Sequence, residues 1–287
     1  MPPIIDTVLT LALALIMFSL GLSLGQRDFR QVLAAPKSFL VGMTGQLIML
    51  PLLAVGLVLL LQPPTPIALG MLVLAIAPGG ATSAFMTNLF RGNVALSISL
   101  TALCGFVVIV TTPFLLSLLM PLVSDSGLTL RVPPSEIVRS LLRIVAGPVI
   151  VGMLLRAWFP RFTDLIERPI KITAATLFFA LLIGAIVSQI DLVQDYFVAA
   201  GLFTITFNIA VVLSAFVLAK LSGLSARDGM AIVFECGMQN APLAMFLAVS
   251  VMQQPDLSIA PAIYGVLQAP ITLSLGYLVH KFGYRRS

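Results

Sequence analysis

The stretch that decides the fold is Glu235-Cys236-Gly237-Met238-Gln239-Asn240-Ala241-Pro242. It places a carboxylate, two amides, a glycine and a proline inside a segment, 228–252, that is otherwise apolar enough to lie in lipid. A charge at the centre of a bilayer costs about 2.5–3.5 kcal/mol or more, so an ionisable residue at that depth marks a functional site by default. Glu235 is the only acidic residue that we expect at such depth, and the remaining segments are interpreted around it.

The composition places the chain in a membrane. It is 59% hydrophobic and 9% charged over 287 residues, with a mean hydropathy of +1.10, which is typical of polytopic membrane proteins. The run from Thr7 to Leu24 lacks the basic start of a signal peptide, so we expect a retained transmembrane helix. Cys104 and Cys236 show no disulfide or zinc-ligand spacing and do not indicate a compartment.

Apolar segments separated by glycine, proline and charge are each close to the roughly 20 residues that cross a bilayer. We predict an all-α polytopic membrane protein that forms a single transmembrane unit over residues 1–287. The nine segments are 6–25, 38–61, 66–89, 93–120, 138–158, 169–189, 195–219, 228–252 and 258–280.

Basic residues are unequally divided between the two sides of this arrangement. Thirteen lie in alternate loops and the C-terminal tail: Arg27, Arg30, Lys37, Arg91, Arg156, Arg161, Arg168, Lys171, Lys220, Arg227, Lys281, Arg285 and Arg286. Three lie on the other side, Arg131, Arg139 and Arg143. Because short cytoplasmic loops collect Lys and Arg, we expect a cell (inner) membrane protein with its N-terminus outside and its C-terminus in the cytoplasm. The same distribution explains the sequence pI near 9.6 without a nucleic-acid partner.

Two segments carry helix-breaking residues near their middle. The third holds Ala77-Pro78-Gly79-Gly80, and the eighth holds Gly237 and Pro242. We expect both helices to unwind there, although simple packing kinks would leave the same pattern. Segments one to four and six to nine correspond as two sets of opposite topology. Interrupted helices at matching positions of inverted repeats indicate the central site of a secondary transporter, so the breaks should cross near the midplane.

Oxygen-bearing side chains surround the two breaks. A hard monovalent cation takes several oxygen ligands, ideally with one full negative charge, which Glu235 supplies. Half-helix N-termini offer N–H groups to an anion. The mid-span polar residues are Gln46, Ser83, Ser97, Ser99, Thr101, Asn208, Gln239, Asn240 and Gln268. Ser97 and Thr101 share one helix face because they are four residues apart.

Each of these residues also has a purely structural interpretation. Intramembrane Ser and Thr usually bond back to their own helix. Gln46, Asn208 and Gln268 could hold neighbouring helices together, and Glu235 could be protonated and inert. Their significance therefore depends on whether they cluster at the breaks.

Other classes of function find little support. The single histidine, His280, stands beside Lys281 at a membrane edge, where we expect an interfacial anchor. The chain has no HExxH, paired-aspartate, Gly-x-Ser-x-Gly or phosphate-loop motif, so we expect neither an enzyme nor direct ATP drive. Proton transport through Glu235 stays open, since burial can raise a carboxyl pKa towards neutrality.

At the breaks, two motifs resemble the bile acid:sodium symporter family: Pro78-Gly79-Gly80 through Asn93-Val94-Ala95-Leu96-Ser97, and Glu235 through Ala241. The segments from Phe18 to Phe29 and from Gln46 to Pro51 are also similar to it, so the likeness covers nearly the whole chain. The resemblance implies a nine-helix transporter of organic anions in which a core domain moves against a panel domain. The panel would be 6–25, 138–158 and 169–189, and the core 38–61, 66–89, 93–120, 195–219, 228–252 and 258–280.

The resemblance also implies two sodium ions near the crossing. The first would be held by Ser83, Ser97, Thr101 and Glu235. The second would be held by Gln46, Glu235, Gln239 and the backbone carbonyls of Cys236 and Met238. For the substrate, Asn240 resembles the family's contacting asparagine, with Gly80, Ala81 and Thr82 beside it in the other break.

Two positions depart from the family pattern in the third segment. Ala81 and Ala84 stand where that pattern has Thr and Asn. The second change removes a ligand of the first sodium site, so the expectation of sodium rests mainly on the second site. Thr82 does not replace the lost hydroxyl, because it points about 100° away in helical geometry.

Together these features predict a secondary active transporter in the lipid bilayer, a sodium-coupled symporter of an organic anion that works by alternating access. The anion would be bile-acid-like or a small carboxylate such as a keto or hydroxy acid. One alternative is a proton-coupled or sodium-independent organic anion carrier, with export as one direction it could take. The other is a non-transporting membrane sensor or binding protein. The sequence does not indicate an oligomeric state.

Overall fold

The computed structural model describes residues 3–25, 36–80, 82–123, 132–188 and 190–283. Ala81, expected beside the substrate, lies outside these ranges. Several basic loop residues counted above lie outside them as well, namely Arg27, Arg30, Arg131, Arg285 and Arg286.

Helices dominate the described chain, and each expected segment coincides there with one helix or with a pair of half-helices. They are α1 (Pro3–Ser23), α2 (Pro36–Leu61), α3a (Thr65–Ala75), α3b (Ser83–Leu89), α4 (Val94–Val123), α5 (Pro134–Trp158), α6 (Pro160–Ser188), α7 (Ile190–Leu221), α8a (Ala226–Gly237), α8b (Ala241–Val251) and α9 (Ile259–Leu278). Wider π-helical turns occur within α2 (Gly45–Met49), α5 (Leu142–Ala146) and α8b (Leu247–Val251).

Five of these helical segments are long and apolar enough to cross a membrane alone: Pro36–Leu61, Val94–Val123, Pro134–Trp158, Tyr196–Leu221 and Pro255–Gly283. Shorter apolar helices are Thr7–Ser23, Thr65–Ala75 and Ala241–Val251. The prediction of an all-α polytopic membrane protein is confirmed. At 1.5 Å per residue α3a reaches only about 16 Å, roughly half of a bilayer core, so its break falls near the midplane.

One face of α4 shows how the surface suits lipid. Val110, Phe114, Leu118 and Leu122 are all exposed and recur every four residues. That spacing places them in one stripe along the helix. In water such a stripe would be an interaction surface, whereas in a bilayer acyl chains cover it.

The helix α6 begins at Pro160, before the expected membrane segment at 169. Proline suits the first turn of a helix, where its missing N–H has no partner to lose. Pro169 lies inside the helix without ending it. The first twelve positions of α6 carry five charged residues, so this end of the helix is polar. Lys171 therefore belongs to the helix and not to a loop.

Glycines bring α1 and α5 into close contact. A Cβ atom on Gly152 would meet the backbone of Phe18 and Leu22, and one on Gly21 would meet the backbone of Val149. Small residues at such interfaces allow the two backbones to approach in the absence of a hydrophobic driving force between helices. The helix α1 also packs along α6, so α1, α5 and α6 form one group.

The ends of three helices meet at one end of the bundle. The Asp228 carboxylate of α8a accepts hydrogen bonds from Ser38 at the start of α2 (2.8 Å) and from Asn93 just before α4 (2.8 Å). Lys37, Arg91 and Arg227 neighbour these residues in sequence. Basic residues from three alternate loops thus lie at the same end of the helix bundle, as the count of Lys and Arg requires. Which side of the membrane this end faces stays a prediction.

We predict that Gly152→Ala lowers the stability of the folded protein by about 1–3 kcal/mol, because the new methyl group meets backbone that cannot rotate away. The midpoint temperature of unfolding in detergent measures this. Gly56→Ala is the matched control, since a Cβ there meets nothing within 4 Å. Equal midpoints for the two variants would contradict the close α1–α5 packing.

Candidate functional site

The two helix breaks lie against each other. Gly79 and Gln239 form an isolated antiparallel bridge. The Gly80 N–H donates to the Met238 carbonyl (2.6 Å), and the Asn240 N–H donates to the Pro78 carbonyl (3.0 Å). Unwound backbone at membrane depth needs partners, and here each break supplies those of the other. The expected crossing of two discontinuous helices is therefore observed, while the inverted repeat stays a prediction.

Gly79 is required by the close approach of Glu235. A Cβ atom on Gly79 would collide with the Glu235 carboxyl group, and one on Gly80 would press on the Gln239 carbonyl at 3.0 Å. Glycine is the residue that lets a backbone come this near to a neighbouring group. The Pro-Gly-Gly sequence thus both ends α3a and makes room for the acid.

The Glu235 carboxylate is fully buried and is held by three hydroxyl groups. Ser83 and Ser97 donate to Oε2 at 2.6 and 2.9 Å, and Thr101 donates to Oε1 at 2.6 Å. Ser83 is the first residue of α3b, and Ser97 and Thr101 lie one turn apart on α4. Five oxygen atoms from three helices converge at this point. We call this set the hydroxyl–carboxylate cluster.

A second group joins Gln46 and Gln239. The Gln46 amide nitrogen donates to the Ala77 carbonyl (2.8 Å) and to the Gln239 side-chain oxygen (2.9 Å). The Gln239 amide nitrogen donates to the Cys236 carbonyl (2.8 Å) and, at 3.3 Å, back to Gln46. Gln46 lies in the π-helical turn of α2, a feature that is frequent at functional sites. This amide pair connects α2 to both breaks.

The carbonyl of Gly237, the last residue of α8a, accepts three hydrogen bonds. The donors are Asn208 (2.9 Å), Tyr264 (2.9 Å) and Thr272 (3.2 Å), all fully buried. A helix end that is buried this deeply must have its free carbonyls satisfied by side chains. These contacts hold the C-terminal end of α8a against α7 and α9.

A cavity of about 480 Å³ opens beside the crossing. One wall comes from α1 and α6, and the other comes from the two breaks, α3b, α4 and α9. Gly80, Thr82, Gln239 and Asn240 line its polar part. Apolar side chains line much of the rest, including Ile16, Phe85, Ile98, Phe178 and Phe179.

An ion-pair network stands at the edge of this cavity. Glu167 on α6 accepts from Lys171 (2.6 Å), Ser23 (3.0 Å) and Arg156 (3.1 Å), and Arg156 also pairs with Asp164 (3.0 Å). Burial raises the pKa of Glu167, but the hydrogen bond and charge of Lys171, with smaller effects of Ser23 and Arg156, outweigh it and hold that pKa below its usual value. Glu167 is therefore charged at neutral pH.

The structure brings most of the expected site residues together in two groups. Ser83, Ser97, Thr101 and Glu235 meet as one group, while Gln46, Gln239 and the Cys236 carbonyl meet as the other. The recorded hydrogen bonds of the Glu235 carboxylate go to the first group. The Met238 carbonyl is used in the bridge between the breaks.

The expected substrate residues lie at the cavity. Gly80, Thr82 and Asn240 line it, and Asn240 also caps α8b by accepting from the Leu243 N–H (3.1 Å). Ala84 lines the same cavity.

Sequence reasoning missed Tyr264 and Thr272 as partners of the break, and Lys171 as a cavity residue. Tyrosine and threonine in an apolar run carry no distinguishing signal. A helix that begins at Pro160 includes Lys171, so recognising Pro160 as a helix start would have placed Lys171 on the helix.

The oxygen-rich character of the crossing limits the ions that suit it. Within the described residues, no group of three or more His, Cys, Asp or Glu side chains comes together as it would for a transition metal. Hydroxyl, amide, carbonyl and carboxylate oxygens suit a hard cation instead.

Comparison with known proteins gives consistent matches. The family model described as Sodium Bile acid symporter family matches residues 10–196. A probable chloroplastic sodium/metabolite cotransporter from Oryza sativa subsp. japonica is 30% identical over 270 residues, 91% of this chain and 61% of that relative. An uncharacterized sodium-dependent transporter from Bacillus subtilis (strain 168) is 30% identical over 264 residues, 91% of this chain and 79% of the relative.

The human ileal sodium/bile acid cotransporter is 28% identical over 282 residues, which are 96% of this chain and 80% of that protein. The chain therefore spans most of the bacterial and human relatives, but only 61% of the rice protein. All of these matches are to transporters and not to enzymes. With a family model that covers more than half of its residues, this chain belongs to the sodium bile acid symporter family.

Proposed function

We propose that this protein is a secondary active transporter that couples the movement of sodium to that of an organic anion. The observation that carries the proposal is the hydroxyl–carboxylate cluster, a fully buried acid at the crossing of two broken helices. An uncompensated charge at that depth is costly, and a bound monovalent cation would neutralise it. The sodium-coupled relatives support the choice of ion.

The first sodium site in this proposal is the hydroxyl–carboxylate cluster itself. The three hydroxyl groups now donate protons to Glu235. Each hydroxyl oxygen also has lone pairs. Rotation about the C–O bond moves the hydrogen away and points a lone pair towards a cation. Sodium would then be shared between the carboxylate and the three hydroxyl oxygens. The ion would also draw α3b and α4 towards α8a.

The amide pair is the proposed second sodium site. Of the ligands that the resemblance implied for it, Gln46, Gln239 and the Cys236 carbonyl meet here, and the Ala77 carbonyl joins them. Glu235 bonds to the three hydroxyl groups instead, and the Met238 carbonyl bonds to the Gly80 N–H. At present the oxygens of this site accept N–H groups from the two amides, so binding requires the amides to turn. Because this site connects α2 to both breaks, an ion there would fix the crossing that shapes one wall of the cavity.

Transport requires that the cavity open to each side in turn. We propose that α1, α5 and α6 form a panel and that the other helices form a core that moves against it, namely α2, α3a, α3b, α4, α7, α8a, α8b and α9. The cavity lies at this boundary, since α1 and α6 face the breaks across it. Sodium would stabilise the arrangement of the core that binds the anion, and by linkage the anion would raise sodium affinity by the same factor.

The orientation in the membrane is part of the proposal. The basic end of the bundle that contains Lys37, Arg91 and Arg227 would face the cytoplasm, as positive charge does in short loops. The protein would then reside in the cell membrane with its N-terminus outside. The substrate would be an organic anion small enough for a cavity of about 480 Å³.

We predict that sodium raises the unfolding midpoint of the wild-type protein in detergent and that Glu235→Gln removes this effect. A ligand present at 100 times its Kd stabilises the folded state by about 2.7 kcal/mol. The amide keeps the size of the side chain but removes the charge that attracts the cation. Sodium chloride is compared with choline chloride at equal ionic strength.

Asp256→Asn is the control for that experiment, because Asp256 is an exposed carboxylate on the turn before α9. It should respond to sodium as the wild type does. An undiminished sodium response in Glu235→Gln would exclude this carboxylate as the ligand. A wild type that responds to pH but not to sodium would support proton coupling instead.

We also predict that Thr101→Val weakens apparent sodium affinity about tenfold, equivalent to about 1.4 kcal/mol. Valine keeps the shape of threonine but removes the oxygen that lies 2.6 Å from Glu235. Thr111→Val on the same helix is the matched control, since the Thr111 hydroxyl bonds back to the Val107 carbonyl. Sodium titrations of the unfolding midpoint measure both. Equal sodium affinities in the two variants would contradict the assignment of Thr101 as a ligand.

A further inference from the structure

We infer that Lys171 binds the acidic group of the transported anion at the edge of the cavity. This inference rests on the proposed transport function and adds the residue that recognises the charge of the substrate. It concerns a side chain that belongs to α6, on the wall opposite the two helix breaks.

The position of Lys171 is the first argument. Among the described residues that line the cavity, Lys171 is the one with a charged side chain. The residues at the breaks offer neutral hydrogen-bonding groups, while Glu235 lies behind Thr101 and repels an anion. An acidic group that enters this cavity therefore has one cationic partner on its walls.

The second argument is that Lys171 can accept such a partner. Its ammonium carries three N–H donors, and Glu167 accepts from it through one oxygen. The side chain is 49% exposed. Glu167 itself is shared with Ser23 and Arg156, so it does not lose its partners if Lys171 turns towards a ligand.

The third argument concerns the charge balance of the network. Arg156 and Lys171 face Asp164 and Glu167, so two cations are matched by two anions. Without substrate the ammonium is held in place and neutralised. An incoming acid takes a charge-assisted hydrogen bond from this ammonium, and such bonds are stronger than neutral ones.

The walls of the cavity indicate the rest of the substrate. Phe178 and Phe179 follow Lys171 along α6, and Phe85 and Ile98 line the cavity as well. Asn240 and Gln268 supply amides at the opposite wall. The chemistry fits an amphipathic carboxylate or sulfonate whose acid meets Lys171, whose apolar body meets the aromatic wall, and whose polar group reaches the breaks.

The competing explanation is that Lys171 only stabilises α6 through its i,i+4 pair with Glu167. Exposed pairs of this kind contribute little to stability. That role predicts the same behaviour towards charged and neutral ligands. The experiment therefore compares an acid with its neutral amide.

The probes are 3-phenylpropionate and 3-phenylpropionamide, titrated in sodium chloride against the unfolding midpoint of the full chain in detergent. We expect Lys171→Met to weaken binding of the carboxylate about fivefold to tenfold, the range of one charge-assisted hydrogen bond at a half-exposed site. Binding of the amide and the response to sodium alone should stay as in the wild type. Arg168→Met is the matched control, because Arg168 is an exposed cation of α6 that is not among the residues lining the cavity.

Each other outcome overturns a specific statement. If Lys171→Met binds the carboxylate as tightly as the wild type does, or loses both ligands equally, Lys171 does not recognise the acid. The same conclusion follows if the wild type does not prefer the carboxylate to the amide. The response of the unfolding midpoint to sodium without either probe tests the proposed function separately. If the wild type shows no such response, the proposed sodium coupling is contradicted, and not only the role of Lys171.

Discussion

The backbone pairing between the two breaks is the interaction on which the site depends. Pro78 and Gly80 on one side and Met238 and Asn240 on the other exchange hydrogen bonds, so unwound backbone is satisfied at a depth where water is absent. This pairing allows an acid in the last turn of α8a to lie beside a glycine of the other break. Without it, neither helix could stop in the middle of the membrane, and the oxygens around Glu235 would not meet.

The Glu235 carboxyl group and the Gly237 carbonyl are both buried, and side chains from different sets of helices satisfy each of them. The carboxylate is surrounded by hydroxyl groups that can also act as acceptors, so its partners can reorganise when an ion arrives. The Gly237 carbonyl is held by the amide of Asn208 on α7 and by the hydroxyl groups of Tyr264 and Thr272 on α9. These bonds tie the end of α8a to two helices of the bundle, while the hydroxyl groups around Glu235 come from α3b and α4.

The sequence predicted the helices and the crossing because both leave local signals. Apolar length identifies spans, and Pro78-Gly79-Gly80 identifies a break regardless of its partner. The spacing of Ser97 and Thr101 placed them on one face of their helix, whereas their meeting with Glu235 was expected only from the family resemblance. The start of α6 was misjudged because charged residues and Pro169 suggested a loop, yet a polar helix end can project from a bilayer. Tyr264 and Thr272 could not be identified, since only tertiary contacts distinguish them from packing residues.

The division of charge between the two walls of the cavity gives a reason for coupling. In the proposed mechanism the hydroxyl–carboxylate cluster, which lies close behind the wall that contains Thr101, would be negative until a cation binds. An anion near the breaks would then be repelled in the absence of the ion, and binding of the ion would remove this repulsion. Lys171 stands on the other wall with its charge already balanced by Glu167. Under the proposed function, a single anion that contacts both walls would bring α6 and the breaks together, and it would do so at low cost only when the cation is present. Ion and substrate would thus favour the same arrangement of the two walls through separate contacts, which is what reciprocal coupling between two sites requires.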